Sequence, residues 1–145
     1  MKWIDEVNQV YEQHFKDSFD RLGLLKYEQM EGPGMGALIK FKNSSFKVQI
    51  LNDRGILETN IASLIEPEQF IDVSLLSSFI RLQQLDKNKS QLERRKILGT
   101  VLDYPGQRDF LLDNHATLAD MLSKENYGQT LKEILAIGRE RFDLR

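Results

Sequence analysis

The chain contains no cysteine in its 145 residues. A disulfide scaffold, a thiolate metal site and cysteine-based nucleophilic or redox chemistry are therefore excluded. Histidine is almost as scarce. His14 and His115 are the only two, which excludes a multi-histidine metal site within one chain. Charge of one sign is not in excess either, since 20 basic and 22 acidic side chains leave a net charge of −2. Binders of duplex nucleic acid usually carry a clear basic surplus, so this balance disfavours them. No apolar run approaches the roughly 18 residues that a membrane span needs. The opening Met-Lys-Trp-Ile-Asp-Glu-Val puts acids at residues 5 and 6, where a secretory leader would need its apolar stretch. A cytoplasmic protein without membrane contact is expected.

What is present is ordinary globular composition, 41% hydrophobic and 29% charged, at a length typical of one domain. No repeat, low-complexity tract or long linker divides residues 1–145. Trp3, Ile4, Val7, Val10, Tyr11, His14, Phe15 and Phe19 recur at steps of three and four, which predicts an amphipathic first helix. The run Glu31-Gly32-Pro33-Gly34-Met35-Gly36 cannot be helix interior.

Period-two alternation follows. Ala37, Ile39 and Phe41 alternate with Leu38, Lys40 and Lys42, and Phe46, Val48 and Ile50 with Lys47 and Gln49. Leu57, Thr59 and Ile61 alternate with Ile56, Glu58 and Asn60. Asn43-Ser44 and Asn52-Asp53-Arg54-Gly55 supply the turns between these strands.

Beyond Pro67 the helical period returns, first from Phe70 to Leu82. After the polar break Lys87-Asn88-Lys89-Ser90, a capping-box pattern of Ser90 and Glu93 opens a helix with Leu92, Ile97, Leu98, Val101 and Leu102 inward. A helix over 107–122 points Phe110, Leu111, Leu118 and Leu122 inward, and one over 127–142 uses Leu131, Ile134, Leu135, Ile137 and Phe142. The expected architecture is α+β, a small antiparallel meander of three to four strands flanked by about five helices.

Several features invite a chemical reading. The glycine run 32–36 precedes a strand rather than a helix, no Gly-Lys-Ser/Thr follows it, and Pro33 removes a donor, so it reads as a flexible lead-in to an edge strand and not as a phosphate loop. His14 falls near the apolar stripe and His115 lies near Asp113 and Asp120, but no Ser or Thr stands in a nucleophile setting. Asp5 and Glu6, like Glu66 and Glu68 around Pro67, fit the positive ends of helices. Arg94-Arg95-Lys96 spread over a helical arc of about 200°. Lys40, Lys42 and Lys47 share the solvent face of the sheet by parity, but Phe41 and Phe46 have the opposite parity, leaving bases nothing to stack on. A solvated lysine face that guards an edge is expected. No catalytic residue, cofactor or metal site is assigned.

The segment Phe41–Leu64, FKNSSFKVQILNDRGILETNIASL, followed by Ile71-Asp72-Val73-Ser74, resembles a pattern in small bacterial immunity-type proteins. There, an N-terminal helix leads to a strand of the form F-x-N-x-x-F-K-h-x-h-x-N-D-R-G, with h apolar, and then to a helix containing h-x-D-h-S. The resemblance covers about a quarter of the chain. It implies a non-enzymatic protein that neutralises a toxin domain by binding it. Basic toxins would be steered to acidic surface, although this chain is only weakly acidic overall. Asp5, Glu12, Asp17, Asp20, Glu28 and Glu31 are the expected partner-contacting residues. Two alternatives stay open. One is nucleic-acid binding through Lys40, Lys42 and Lys47 or through the 94–96 helix; the other is an enzyme whose site only the fold assembles.

Overall fold

The alternation of residues 37–61 has a direct structural consequence, because it lets one face of a sheet be wholly apolar. A computed structural model describes residues 2–34, 36–85 and 91–144. In it Ala37, Ile39, Phe41, Phe46, Val48, Ile50 and Ile61 are all buried on one sheet face. The strands are β1 (Leu25–Gly32), β2 (Gly36–Lys42), β3 (Phe46–Asp53), β4 (Ile56–Ser63) and β5 (Ile71–Asp72). They run antiparallel in the order β1-β2-β3-β4-β5. The α+β class stands as expected, with five strands where three to four were expected.

The additional full strand is β1. Gly32 pairs with Gly36, so the glycine run links β1 to β2 as a hairpin and is not a lead-in to an edge strand. Gly34 and Gly36 take φ of 77° and 85°, the left-handed region open to glycine. At the next turn Asn43 Oδ1 accepts from the amides of Ser45 and Phe46, and at the one after it Asn52 Oδ1 accepts from the Gly55 amide at 2.6 Å.

The helices are α1 (Trp3–Val10), α2 (Lys16–Arg21), α3 (Val73–Gln84), α4 (Gln91–Leu98), α5 (Tyr104–Met121) and α6 (Tyr127–Asp143). A π turn over Tyr11–Phe15 joins α1 to α2 in one continuous rod. The described residues thus hold five helical rods. α1 lies across β2 and β3, and α3 touches β4 and β5 and packs against α4, α5 and α6. A single core cluster unites Val7, Phe15 and Phe19 with Phe41 and Val48 of the sheet and with Leu76, Leu111 and Ile134 of the other helices.

Caps explain several boundaries. Asp72 Oδ1 accepts from the Ser74 amide at the start of α3, and Asp103 Oδ1 from the Gly106 amide at the start of α5, with Pro105 in its first turn. The expected cap at Ser90 lies outside the described residues. Two inward assignments need correction. In α4 only Ile97 and Leu98, at its C-terminal end, are buried; Leu92 near its start is 60% exposed, and Val101, past the end of the helix, is 78% exposed. In α6 the buried side is centred on Ile134, and Leu135 and Phe142 face outward.

Candidate functional site

The acidic residues singled out in the sequence fall into three places. Four lie on the first helical rod, and its π turn decides how they are arranged. At about 100° per residue, an unbroken helix would put Phe19 about 120° around the axis from Val7. The π turn absorbs one residue and reduces this offset to about 20°. Phe15 and Phe19 therefore stay on the buried side with Val7 and Val10. The same correction acts on the opposite side. Asp5, Glu12, Asp17 and Asp20 come to within an arc of about 60° and are all exposed. Lys16, 3.6 Å from Glu12, is the cation paired with this stripe among the described residues.

Glu6, next to Asp5, has a different role. Its carboxylate accepts from the side chain of the wholly buried Asn52 at 2.8 Å, tying the start of α1 to β3. Glu31 stands exposed at the end of β1, beside an open groove lined by Lys2, Trp3 and Pro33. Glu28 is on the other side of the sheet altogether, with its Oε2 2.9 Å from Lys40 Nζ. The structure thus brings together four of the six acidic residues and separates Glu28 and Glu31 from them.

The lysine face differs from the expected solvated surface. Parity does put Lys40, Lys42 and Lys47 opposite the apolar face, and Lys42 is exposed. However, the connection from β4 to β5 folds over this face and neutralises the other two. Lys47, only 6% exposed, lies 2.8 Å from Glu66 and 2.6 Å from Glu68. Lys40 reaches Glu68 at 2.9 Å as well as Glu28. Tyr27 adds its ring under Lys42 and Lys47, and Phe70 under Lys40.

Electrostatics follow this geometry. Burial pushes the Lys47 ammonium toward losing its proton, but hydrogen bonds to Glu66 and Glu68 outweigh it and the pKa ends well above the ordinary lysine range. Lys40 is raised by the same contest between burial and its hydrogen bonds to Glu28 and Glu68. The hydrogen bond from Lys47 holds Glu68 below its ordinary value despite burial, with Lys40 adding to the effect. Glu66 is lowered by Lys47 likewise. Glu66 and Glu68 therefore serve as counter-ions to the sheet, and the helix-dipole role expected for them does not apply. What the sequence did offer was an acidic pair around a proline facing three same-parity lysines, but ion pairs follow no spacing rule that would join them.

The remaining candidates for chemistry are dispersed. A cleft of about 590 Å³ is lined by Arg21, Asn43, Ser44, Ser45, Asp113 and His115 among others. In it the Asn43 side chain is occupied by backbone of residues 22, 45 and 46, and His115 Nδ1 lies 2.9 Å from the Leu112 carbonyl of its own helix. His14 is packed against the Tyr104 ring at 4.9 Å. Arg94 binds Glu140 on α6 at 2.8 Å, which takes one cation out of the 94–96 run. Among the described residues no three His, Asp or Glu side chains are grouped to hold a metal ion, and no helix is long and apolar enough to cross a membrane.

Comparison with protein-family models, curated proteins and solved structures finds no match to this chain.

Proposed function

We propose that the chain is a non-enzymatic protein-binding module that receives a basic partner along the acidic outer stripe of its first helix. The observation that supports this reading best is the phase correction by the π turn. It lines up Asp5, Glu12, Asp17 and Asp20 on the solvent side of a helix whose other side is anchored in the core. Carboxylates presented from a rigid element create a directed negative field, which speeds and orients encounter with a basic protein. An immunity-type inhibitor of a toxin domain, which the Phe41–Ser74 resemblance implies, needs this kind of scaffold and no constellation of its own. Nucleic acid is a weaker reading, because Glu28, Glu66 and Glu68 already compensate Lys40 and Lys47.

The test is capture from the native host with the tagged protein at low salt, with and without nuclease. A nuclease-resistant protein recovered at equal stoichiometry is expected. The charge-neutral variant D5N/E12Q/D17N/D20N should retain it at least about tenfold less well, and the loss should resemble that of the parent at high salt. Recovery of nucleic acid alone, or a protein partner indifferent to the four substitutions, overturns the reading.

A further inference from the structure

We infer that β1 is a self-association edge, through which two copies of the chain pair antiparallel and join their five-stranded sheets into one. β1 is a full eight-residue strand, yet it is the terminal strand, with β2 on one side only. Its second row of backbone N–H and C=O groups has no strand partner among the described residues. No helix packs across it as α1 packs across β2 and β3. Leu25, Tyr27 and Met30 are 72%, 36% and 44% exposed, and Lys26, Gln29 and Glu31 on the other face are exposed as well. A long, largely exposed edge strand with one backbone row unpaired is a template for pairing.

The side chains favour one register. The shift between Lys26 and Glu28 places Tyr27 and Glu28 on the same face, with Lys26, Gln29 and Glu31 on the other. A two-fold axis through Gln29 then sets Gln29 opposite its own copy, and Met30 of one copy against Tyr27 and Glu28 of the other. Beyond the shift, Glu31 falls opposite Lys26, and Gly32 opposite the exposed Leu25. Two Lys–Glu pairs and two Tyr–Met contacts result, a favourable set for cross-strand neighbours. Moving the axis to Glu28 would oppose that carboxylate to itself, and moving it to Met30 would leave Leu25 and Lys26 without partners. Charges and a bulge on an edge strand often serve to block pairing. Here the charges are of opposite sign and meet across the two-fold axis, so they select a self-pair. Neither charge forms an ion pair among the described residues: Lys26 Nζ donates to the Gln29 side chain, and Lys2 lines the same groove as Glu31 without closing a salt bridge to it.

Sedimentation velocity over about a hundredfold range of concentration tests this. A concentration-dependent dimer is expected. Lys26→Glu or Glu31→Lys alone should each raise the dissociation constant about tenfold, by replacing attraction with repulsion at both ends of the pair. The double variant K26E/E31K should return it to within about threefold of the parent. Both positions are exposed, and circular dichroism checks that the variants fold. As a second readout, amide exchange over Lys26–Glu31 should slow as the concentration of the parent rises. A monomer at every concentration, a dimer indifferent to the single reversals, or a double variant that stays dissociated overturns the inference.

Discussion

Gly36 occupies a position where backbone meets backbone. A Cβ placed on it would lie 1.9 Å from the carbonyl oxygen of Asn52 on β3, and its φ is 85°. Gly34, two residues earlier with φ of 77°, has nothing within 4 Å of such a Cβ. The two glycines separate strain from collision. Gly34→Ala carries only the left-handed backbone penalty and should cost about 1 kcal/mol. Gly36→Ala must in addition push β2 away from β3 and should cost more than about 2 kcal/mol. Urea unfolding of the two variants checks this, and equal losses would contradict it. Arg141 poses a similar contrast among cations. Its side chain, 11% exposed, donates through the guanidinium to the carbonyls of Leu98 and Thr100 and to Ser78 Oγ, so it satisfies backbone at and just beyond the end of α4. Arg141→Ala strands these acceptors and should destabilise the fold by about 2–4 kcal/mol. Arg94→Ala, which breaks only the half-exposed pair with Glu140, should cost less than about 1 kcal/mol.

The first helical rod carries its information in phase, and phase can be edited. Because the π turn over Tyr11–Phe15 holds one residue more than an α-helical path needs, removing the exposed Gln13 should let the segment close as ordinary α-helix. Val7, Phe15 and Phe19 would keep their buried side, so the deletion should preserve the fold and shift Tm by only a few degrees. Inserting one alanine at the same place adds a second surplus residue and should lower Tm far more. If deletion and insertion are equally damaging, the phase argument fails. The rod also marks the limit of what was legible. Steps of three and four revealed a helix over residues 3–19, and alternation revealed β2, β3 and β4, because each sets its apolar side chains on a fixed period. β1 was illegible for the opposite reason: both its faces are wet, and the shift at Tyr27 breaks what alternation remains. Leu135 and Phe142 were assigned inward since apolar spacing does not say which side of α6 meets the core. The acidic stripe was half legible. Its residues were identifiable by charge, but the alignment of Asp17 and Asp20 with Asp5 depends on a π turn that no residue pattern announced.

At the scale of the whole molecule, the sheet is closed on its apolar face by helices and on its polar face by the short connection 64–70. That connection is held through charge. Lys47 and Lys40 grip Glu66 and Glu68, while Tyr27 Oη lies 3.5 Å from Glu68, so β1, β2, β3 and the chain leading into α3 converge on one carboxylate. Such a closure has a definite pH signature. Glu66 and Glu68 titrate below their ordinary 4.5 in the folded protein, chiefly because of Lys47. A carboxylate with a lowered folded pKa stabilises the protein above its unfolded value, and that contribution disappears as pH falls through the folded one. Stability should therefore be flat near neutrality and decline below about pH 4.5 as the two groups take up protons that the folded state resists. Glu68→Gln removes the carboxylate shared by both lysines, so the variant should be less stable at pH 7 and show a shallower acid decline. Because Lys40 keeps Glu28 and Lys47 keeps Glu66, the variant should still fold. Urea midpoints at neutral pH, near pH 4.5 and about one and a half units lower provide the comparison. Parallel declines for parent and variant would mean that the cluster does not hold the connection, and that its place over the sheet is kept by Phe70 and the backbone alone.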